Sequence, residues 1–148
     1  MARRCIFIAI ENYNRELAGK ELLARKLSLN GFIVFLGHKS IIRSLLNLYP
    51  LKGHIFIDKG VTNGSAYRIK KFKKSGMIIY SFDEEALMQT DFKIYSELNH
   101  EVDSIKNIDG IFCWGSQHNK MLKKIGYESK QLINTGNLTM KTYLLTLE

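Results

Sequence analysis

Six apolar segments recur along the chain at near-regular intervals: CIFIAI (5–10), FIVFLG (32–37), HIFID (54–58), MIIYSF (77–82), GIFCWG (110–115) and QLINTGN (131–137). Most are continuous rather than alternating, the pattern of strands covered on both faces. The stretches between them have helical character. Residues 14–30 place Leu17, Leu23, Ala24 and Leu27 on one broad stripe, with Gly31 directly after as a stop, and 39–48, 64–75, 84–99 and 116–126 predict further helices. This alternation predicts an α/β fold, a three-layer Rossmann-like domain with a mostly parallel sheet of about six strands. In such sheets ligands gather at the carboxyl ends of the strands. Polar or glycine-containing turns follow each predicted strand: ENYNRE, GHKS, DKGVTNGS, DEE, WGSQ and TGN.

Composition narrows this picture. The chain has 148 residues and is 45% hydrophobic, enough for the core of one domain, and residues 1–148 show no repeat, low-complexity tract or internal boundary. Its single proline, Pro50, marks the loop into the third strand. Cys5 and Cys113 lie inside apolar runs and read as buried thiols, with neither a disulfide nor a thiolate metal site expected. No secretory signal or membrane-length apolar run is visible, so a cytoplasmic protein is expected. Lys and Arg outnumber Asp and Glu by 22 to 14, a formal charge of +8, which favours anionic partners.

Five stretches are candidates for chemistry. In Glu11-Asn12-Tyr13-Asn14-Arg15-Glu16, a carboxylate at the strand tip can take a proton from a sugar hydroxyl and Arg15 can hold a phosphate or carboxylate. The same turn is compatible with Asn14 capping the helix, Glu11 pairing with Arg15, and Arg15 and Glu16 lying in solvent. Asp58-Lys59-Gly60 precedes Thr62, Asn63, Gly64 and Ser65. The glycines there permit tight backbone geometry beside an anion, while Ser65 or Asn63 fits a helix cap. The Gly-Lys-Ser/Thr ending of a phosphate loop and the Gly-x-Gly-x-x-Gly fingerprint are both missing.

Asp83-Glu84-Glu85 suits proton transfer, metal binding or the first turn of a helix capped by Asp83. Trp114-Gly115-Ser116-Gln117-His118 offers an aromatic plate for a sugar or base. Its His118 shares a helix face with Leu122 and Ile125, which reads as a hydrogen-bonded, partly buried imidazole beside the crevice. The basic run YRIKKFKK is either a solvated helix face or a contact for an anionic membrane surface. No nucleic-acid-binding pattern accompanies it, which argues against DNA or RNA as a partner.

Taken together, IAIENYNREL, GKELLA, GFIVFLGHKS, FIDKG, YSFDEEAL, FCWGSQHNKML and LINTGN resemble, in order and approximate spacing, the surface carbohydrate (surface polysaccharide) biosynthesis proteins of bacteria. These are glycosyltransferase-like proteins of the two-domain GT-B type. The resemblance runs from Ile6 to Asn137. The WG followed by TGN is also similar to the end of the N-terminal half of capsule glycosyltransferases and of the glycerophosphotransferases of teichoic acid synthesis. Family members continue from TGN into a proline and R-x-D, whereas Leu138-Thr139-Met140 follows Asn137 here, and a second Rossmann domain is expected after this point.

The resemblance implies an acceptor-side half that is inactive alone. It would hold no cofactor itself, and the nucleotide-sugar donor would bind to the second domain or a partner chain. The acceptor would be a glycan or a lipid-linked molecule at the inner face of the plasma membrane. Glu11 would be the base for an inverting transfer, with Asp83 as a second catalytic candidate. Asn12, Arg15, Asp58, Lys59 and Trp114 would line the acceptor cleft. Gly115, His118, Gly136 and Asn137 complete the substrate-binding candidates. A CDP-glycerol-type glycerophosphotransferase half and a non-catalytic Rossmann-like binding module are the alternatives.

Overall fold

The first strand, β1 (Cys5–Ile10), is buried along its whole length because it lies inside the sheet, between β2 (Ile33–His38) and β3 (Ile55–Asp58). Its side chains alternate between two cores, as the two-residue period of a strand demands. Cys5, Phe7 and Ala9 face one side, packed with Ile42, Leu46, Ile69 and Phe72, while Ile6 and Ile8 face the other, against Leu23, Ala24 and Leu27. Each large apolar side chain so buried contributes about 2 kcal/mol relative to exposure. Parallel registers set Phe7 beside Phe35 and Phe56, and the Phe7 and Phe35 rings stack at 4.9 Å.

These elements come from a computed structural model in which residues 4–48, 51–84 and 92–136 are described. Pro50, Glu85, Asn137 and the stretch 138–148 lie outside the described residues. The order continues with α1 (Tyr13–Leu29) between β1 and β2, α2 (Lys39–Leu48) after β2, and α3 (Ala66–Lys74) after β3. Then come β4 (Ile78–Ser81), α4 (Phe92–Asn99), α5 (Val102–Asn107), β5 (Gly110–Cys113), α6 (Ser116–Ile125) and β6 (Leu132–Asn134). All strand pairs are parallel, and the sheet order is β2-β1-β3-β4-β5-β6. Helix α1 covers one face, and α2 and α3 the other, giving the three-layer Rossmann-like arrangement that the hydrophobic pattern predicts. The direction of winding reverses once, between β1 and β3, and this is where an open parallel sheet leaves a crevice.

Helix α1 departs from its predicted stripe. Leu17 is 37% exposed, whereas Glu16 and Lys20 are 3% and 2% exposed. The helix therefore buries an ion pair on the face that carries Leu23 and Leu27. Its cap is Asn12, whose side chain accepts from the Arg15 N–H, and Asn14 is exposed. Gly31 ends the helical segment at φ +87°, in the left-handed region that glycine enters without strain.

Among the described residues two helices, not one, stand between β4 and β5. The predicted helix 84–99 is seen as α4 over its second half, with 85–91 outside the described residues. Helix α5 is an addition, capped by the Glu101 carboxylate, which accepts from the N–H groups of Asp103 and Ser104. At the start of β5 the chain has no room for a side chain. A Cβ on Gly110 would sit 2.9 Å from Ile133 Cδ1 and 3.0 Å from the Tyr80 ring. Cys5 and Cys113 are buried free thiols. Among the described residues no helix is long and apolar enough to cross a membrane.

Candidate functional site

The crevice at the β1/β3 reversal is a cavity of about 260 Å³. Four cationic side chains and two carboxylates line it: Lys39, Arg43, Lys59 and Arg68 with Glu11 and Asp58. Each arrives from a strand tip or the helix next to it. Glu11 follows β1, Lys39 opens α2 immediately after β2, Arg43 lies one helical turn further on, Asp58 ends β3, and Arg68 lies in the first turn of α3. The loop from Gly60 to Ser65 closes the remaining side.

Asp58 is buried and satisfied. One oxygen accepts from the Lys59 backbone N–H at 3.0 Å and the other from Arg68 Nη2 at 2.6 Å. Glu11 is held differently, by ion pairs from Lys39 to one oxygen and Lys59 to the other. The bond from Lys39, then that from Lys59, brings its pKa down from 4.5 to about 2. A carboxylate so acidic is a poor proton acceptor while both lysines hold it. Arg43 is the exception in the pocket. Among the described residues its side chain makes no hydrogen bond or ion pair, and its Nε is buried without a partner, as is Nε of Arg68. Burial, then the nearby Arg68 charge, lowers the Arg43 pKa.

Gly60 and Gly64 line this pocket with ordinary backbone angles, and a Cβ at either would meet only Thr62 atoms at 3.9 Å. The tight geometry expected of them is therefore not needed. Ser65 stands at the cap position of α3 without a capping bond, and its hydroxyl donates to the Thr62 carbonyl at 2.7 Å. In the basic run, Arg68 turns into the pocket, Ile69 and Phe72 enter the core, Lys73 pairs with Asp109 at 2.6 Å, and Tyr67 is exposed.

The opening turn is fixed from beneath. Glu16 accepts from the N–H groups of Glu11 and Asn12, both at 3.0 Å, and from Lys20 Nζ at 2.7 Å. Burial opposes its ionisation, but these bonds outweigh it and the pKa falls. Lys20 Nζ also donates to the Ala9 carbonyl at 2.9 Å and pairs with Glu84 at 2.8 Å. Burial, with Lys20 opposing it, leaves the Glu84 pKa raised. Asn12 and Arg15 are exposed and do not line the pocket, and Arg15 lies 3.5 Å from Glu16 rather than on Glu11. The expectation that Glu16 is solvated is overturned by its burial beneath the turn.

Asp83, Trp114 and His118 assemble elsewhere, in a buried cluster beyond β4 and β5. Asp83 Oδ2 accepts from the Tyr95 hydroxyl and lies 2.9 Å from His118 Nε2 and 3.4 Å from His100 Nε2. The Trp114 N–H donates to His118 Nδ1 at 3.1 Å, so a neutral His118 carries its proton on Nε2 and donates it to Asp83. Burial opposes ionisation of Asp83, but the His100 and His118 imidazoles facing it hold its pKa well below the carboxylate range. The same burial, followed by the Asp83 charge, pushes the Tyr95 and Tyr127 hydroxyls up. His100 Nδ1 shares a 2.9 Å hydrogen bond with the Tyr127 hydroxyl.

The half-buried Trp114 ring meets the His118 ring edge-on at 5.9 Å. Gly115 is extended, with open space where a Cβ would be. Gly136 follows β6 at φ +76°, its N–H bonded to the Cys113 carbonyl at 3.1 Å. Asn137 is outside the described residues.

The structure thus brings Glu11, Asp58 and Lys59 together and gathers Asp83 and His118 into a separate, closed network. The sequence reading did not single out Lys39, Arg43 or Arg68 for the pocket, nor Tyr95, His100 or Tyr127 for the network. The GHKS turn carries the signal for Lys39, and a four-residue step along α2 leads from it to Arg43. Among the described residues no group of His, Cys, Asp and Glu is arranged to hold a metal ion. No family model, curated protein or solved structure matches the chain.

Proposed function

We propose that this chain is the acceptor-side half of a glycosyltransferase of bacterial surface polysaccharide biosynthesis, with its acceptor bound in the β1/β3 crevice. The observation that carries the reading is the placement of the Glu11 carboxylate at the winding reversal, among basic side chains that suit an anionic substrate. In the reaction, an acceptor hydroxyl gives its proton to Glu11 and its oxygen attacks the anomeric carbon of a nucleotide sugar. The bond from that carbon to the donor phosphate breaks, and the nucleotide leaves with the electron pair. In this reading the donor is held opposite the acceptor, by a second domain or a partner chain. The excess of Lys and Arg over Asp and Glu, a formal +8, suits an assembly that works beside the anionic inner face of the plasma membrane.

The experiment supplies the second domain, in cis or in trans, and measures transfer from a panel of nucleotide sugars to a lipid-linked acceptor. Transfer that falls 10²- to 10⁴-fold in Glu11→Gln, roughly the loss of a general base, supports the reading. Equal rates in the two proteins refute the role of Glu11. Turnover of CDP-glycerol but of no nucleotide sugar assigns the fold to glycerophosphate transfer instead.

A further inference from the structure

We infer that the β1/β3 crevice is a phosphate site in which Arg43 and Arg68 seat the anion while Lys39 and Lys59 exchange Glu11 for it. The inference deepens the acceptor-site reading and rests on the same crevice. It names the ligand chemistry, a phosphate monoester or diphosphate, and makes its arrival the event that releases the Glu11 carboxylate.

The charges of the pocket do not cancel. Asp58 is matched by Arg68 and by the Lys59 backbone N–H, and Glu11 by the two lysines. The four cations outnumber the two carboxylates by two, and Arg43 has no ion-pair partner among the described residues. Its Nε and that of Arg68 are buried donors with no acceptor among the described residues. A buried N–H of a charged group without a partner is costly, and native proteins leave few of them. A guanidinium presents five donors in a rigid fork that fits phosphate oxygens two at a time. The two guanidinium groups lie close enough for the Arg68 charge to oppose that of Arg43, and a dianion between them reverses that penalty.

Volume selects the same ligand. At about 260 Å³ the cavity falls just below the range of roughly 300–1,000 Å³ that encloses whole small molecules, and so suits one or two phosphate groups with the remainder of the ligand outside. Lys39 and Lys59 line the same cavity on flexible stems, about a third exposed. A phosphate dianion competes for them against a single carboxylate charge. Once they turn to the phosphate, Glu11 loses the two bonds that suppress its basicity.

The test uses this chain with inorganic phosphate and pyrophosphate as probes, read by calorimetry and by thermal shift. Saturable binding at one site per chain with a rising melting temperature is expected. Arg43→Met should weaken binding about tenfold or more, the effect of losing a charged hydrogen bond, without lowering the melting temperature of the free protein. Glu11→Gln should tighten binding roughly tenfold, because the competing charge is gone. A variant that gains affinity is necessarily folded, so this arm stands even if Arg43→Met fails to fold.

Two further ligands separate the sources of phosphate: a nucleoside diphosphate, and a short polyprenyl diphosphate in detergent micelles. Tighter binding than pyrophosphate by one of them identifies that source, and equal binding of all three shows recognition of phosphate alone. Absence of saturable phosphate binding, or wild-type affinity in both variants, overturns the inference. The binding test needs no second domain, so its failure leaves the transfer assay to judge the glycosyltransferase reading. Binding without transfer retains the phosphate site and removes the enzyme.

Discussion

Two carboxylates at strand ends of the same sheet are kept ionised by opposite means. Glu11 stands in an open crevice and is held by two partly exposed ammonium groups on long, flexible stems. Asp83 is closed off and held by the hydroxyl of Tyr95 and the imidazole of His118, which the Trp114 backbone fixes in place. Mobile charges can be drawn away by a ligand, whereas a packed hydrogen-bond network yields only when the fold does. Under the proposed function, the contrast favours chemistry at the first carboxylate and stability at the second.

The sharpest way to break this contrast is Asp83→Leu. It leaves the Tyr95 hydroxyl and His118 Nε2–H buried without their acceptor, and should cost about 3–5 kcal/mol in urea denaturation. A loss under 1 kcal/mol would return Asp83 to the catalytic candidates.

Acid titration gives the next largest effect. Both carboxylates have depressed pKa values in the folded chain, so their stabilisation is complete above the unfolded value near 4 and is lost as pH falls through the folded values. For Glu11 that window runs from 4.5 down to about 2. Glu84, with a raised pKa, contributes in the opposite sense, most below its unfolded value and less as pH rises through the folded one. Stability measured against pH should lose more of its acid slope in Asp83→Asn than in Glu11→Gln.

Salt should distinguish the two sites more gently. Raising ionic strength from 0.1 M to 1 M shortens the screening length from about 10 Å to about 3 Å, which weakens the exposed lysine pairs of Glu11 and leaves the Asp83 network intact. The stability difference between wild type and Glu11→Gln should therefore shrink in salt, while that for Asp83→Asn holds. The smallest effect belongs to the exposed pair Glu21–Arg25, 2.7 Å apart at a four-residue spacing. Arg25→Ala should change stability by no more than about 0.5 kcal/mol, a baseline for a pair with no further role.

The sheet was legible in the sequence because its inner strands, β1 to β5 without the edge strand β2, are apolar and largely buried on both sides. CIFIAI has no polar residue to hide, and its burial is complete. Helix α5 was not legible, since VDSIKN is too short to show a period, and its cap, Glu101, is not a favoured capping residue. The buried Glu16–Lys20 pair escaped for another reason. At a four-residue spacing it has the signature of a surface pair, and only its position beneath the β1 turn makes it internal. The pocket was half visible. Asp58 ends its strand and Glu11 and Lys59 follow theirs directly, but Arg43 and Arg68 lie within helices and enter the crevice through the β2-β1-β3 order. That order is a long-range fact: Arg68 within YRIKKFKK looks the same whether it faces solvent or Asp58.

Lys20 acts as a tie-rod under the crevice. One ammonium joins β1, through the Ala9 carbonyl, to Glu84 just past β4, although β3 lies between those strands. The floor is thereby tied across three strands, and the partly exposed side chains of Lys39, Lys59 and Glu11 face an incoming guest. For the proposed phosphate ligand, a jaw built this way closes through side chains rather than backbone and leaves bulkier groups outside its rim.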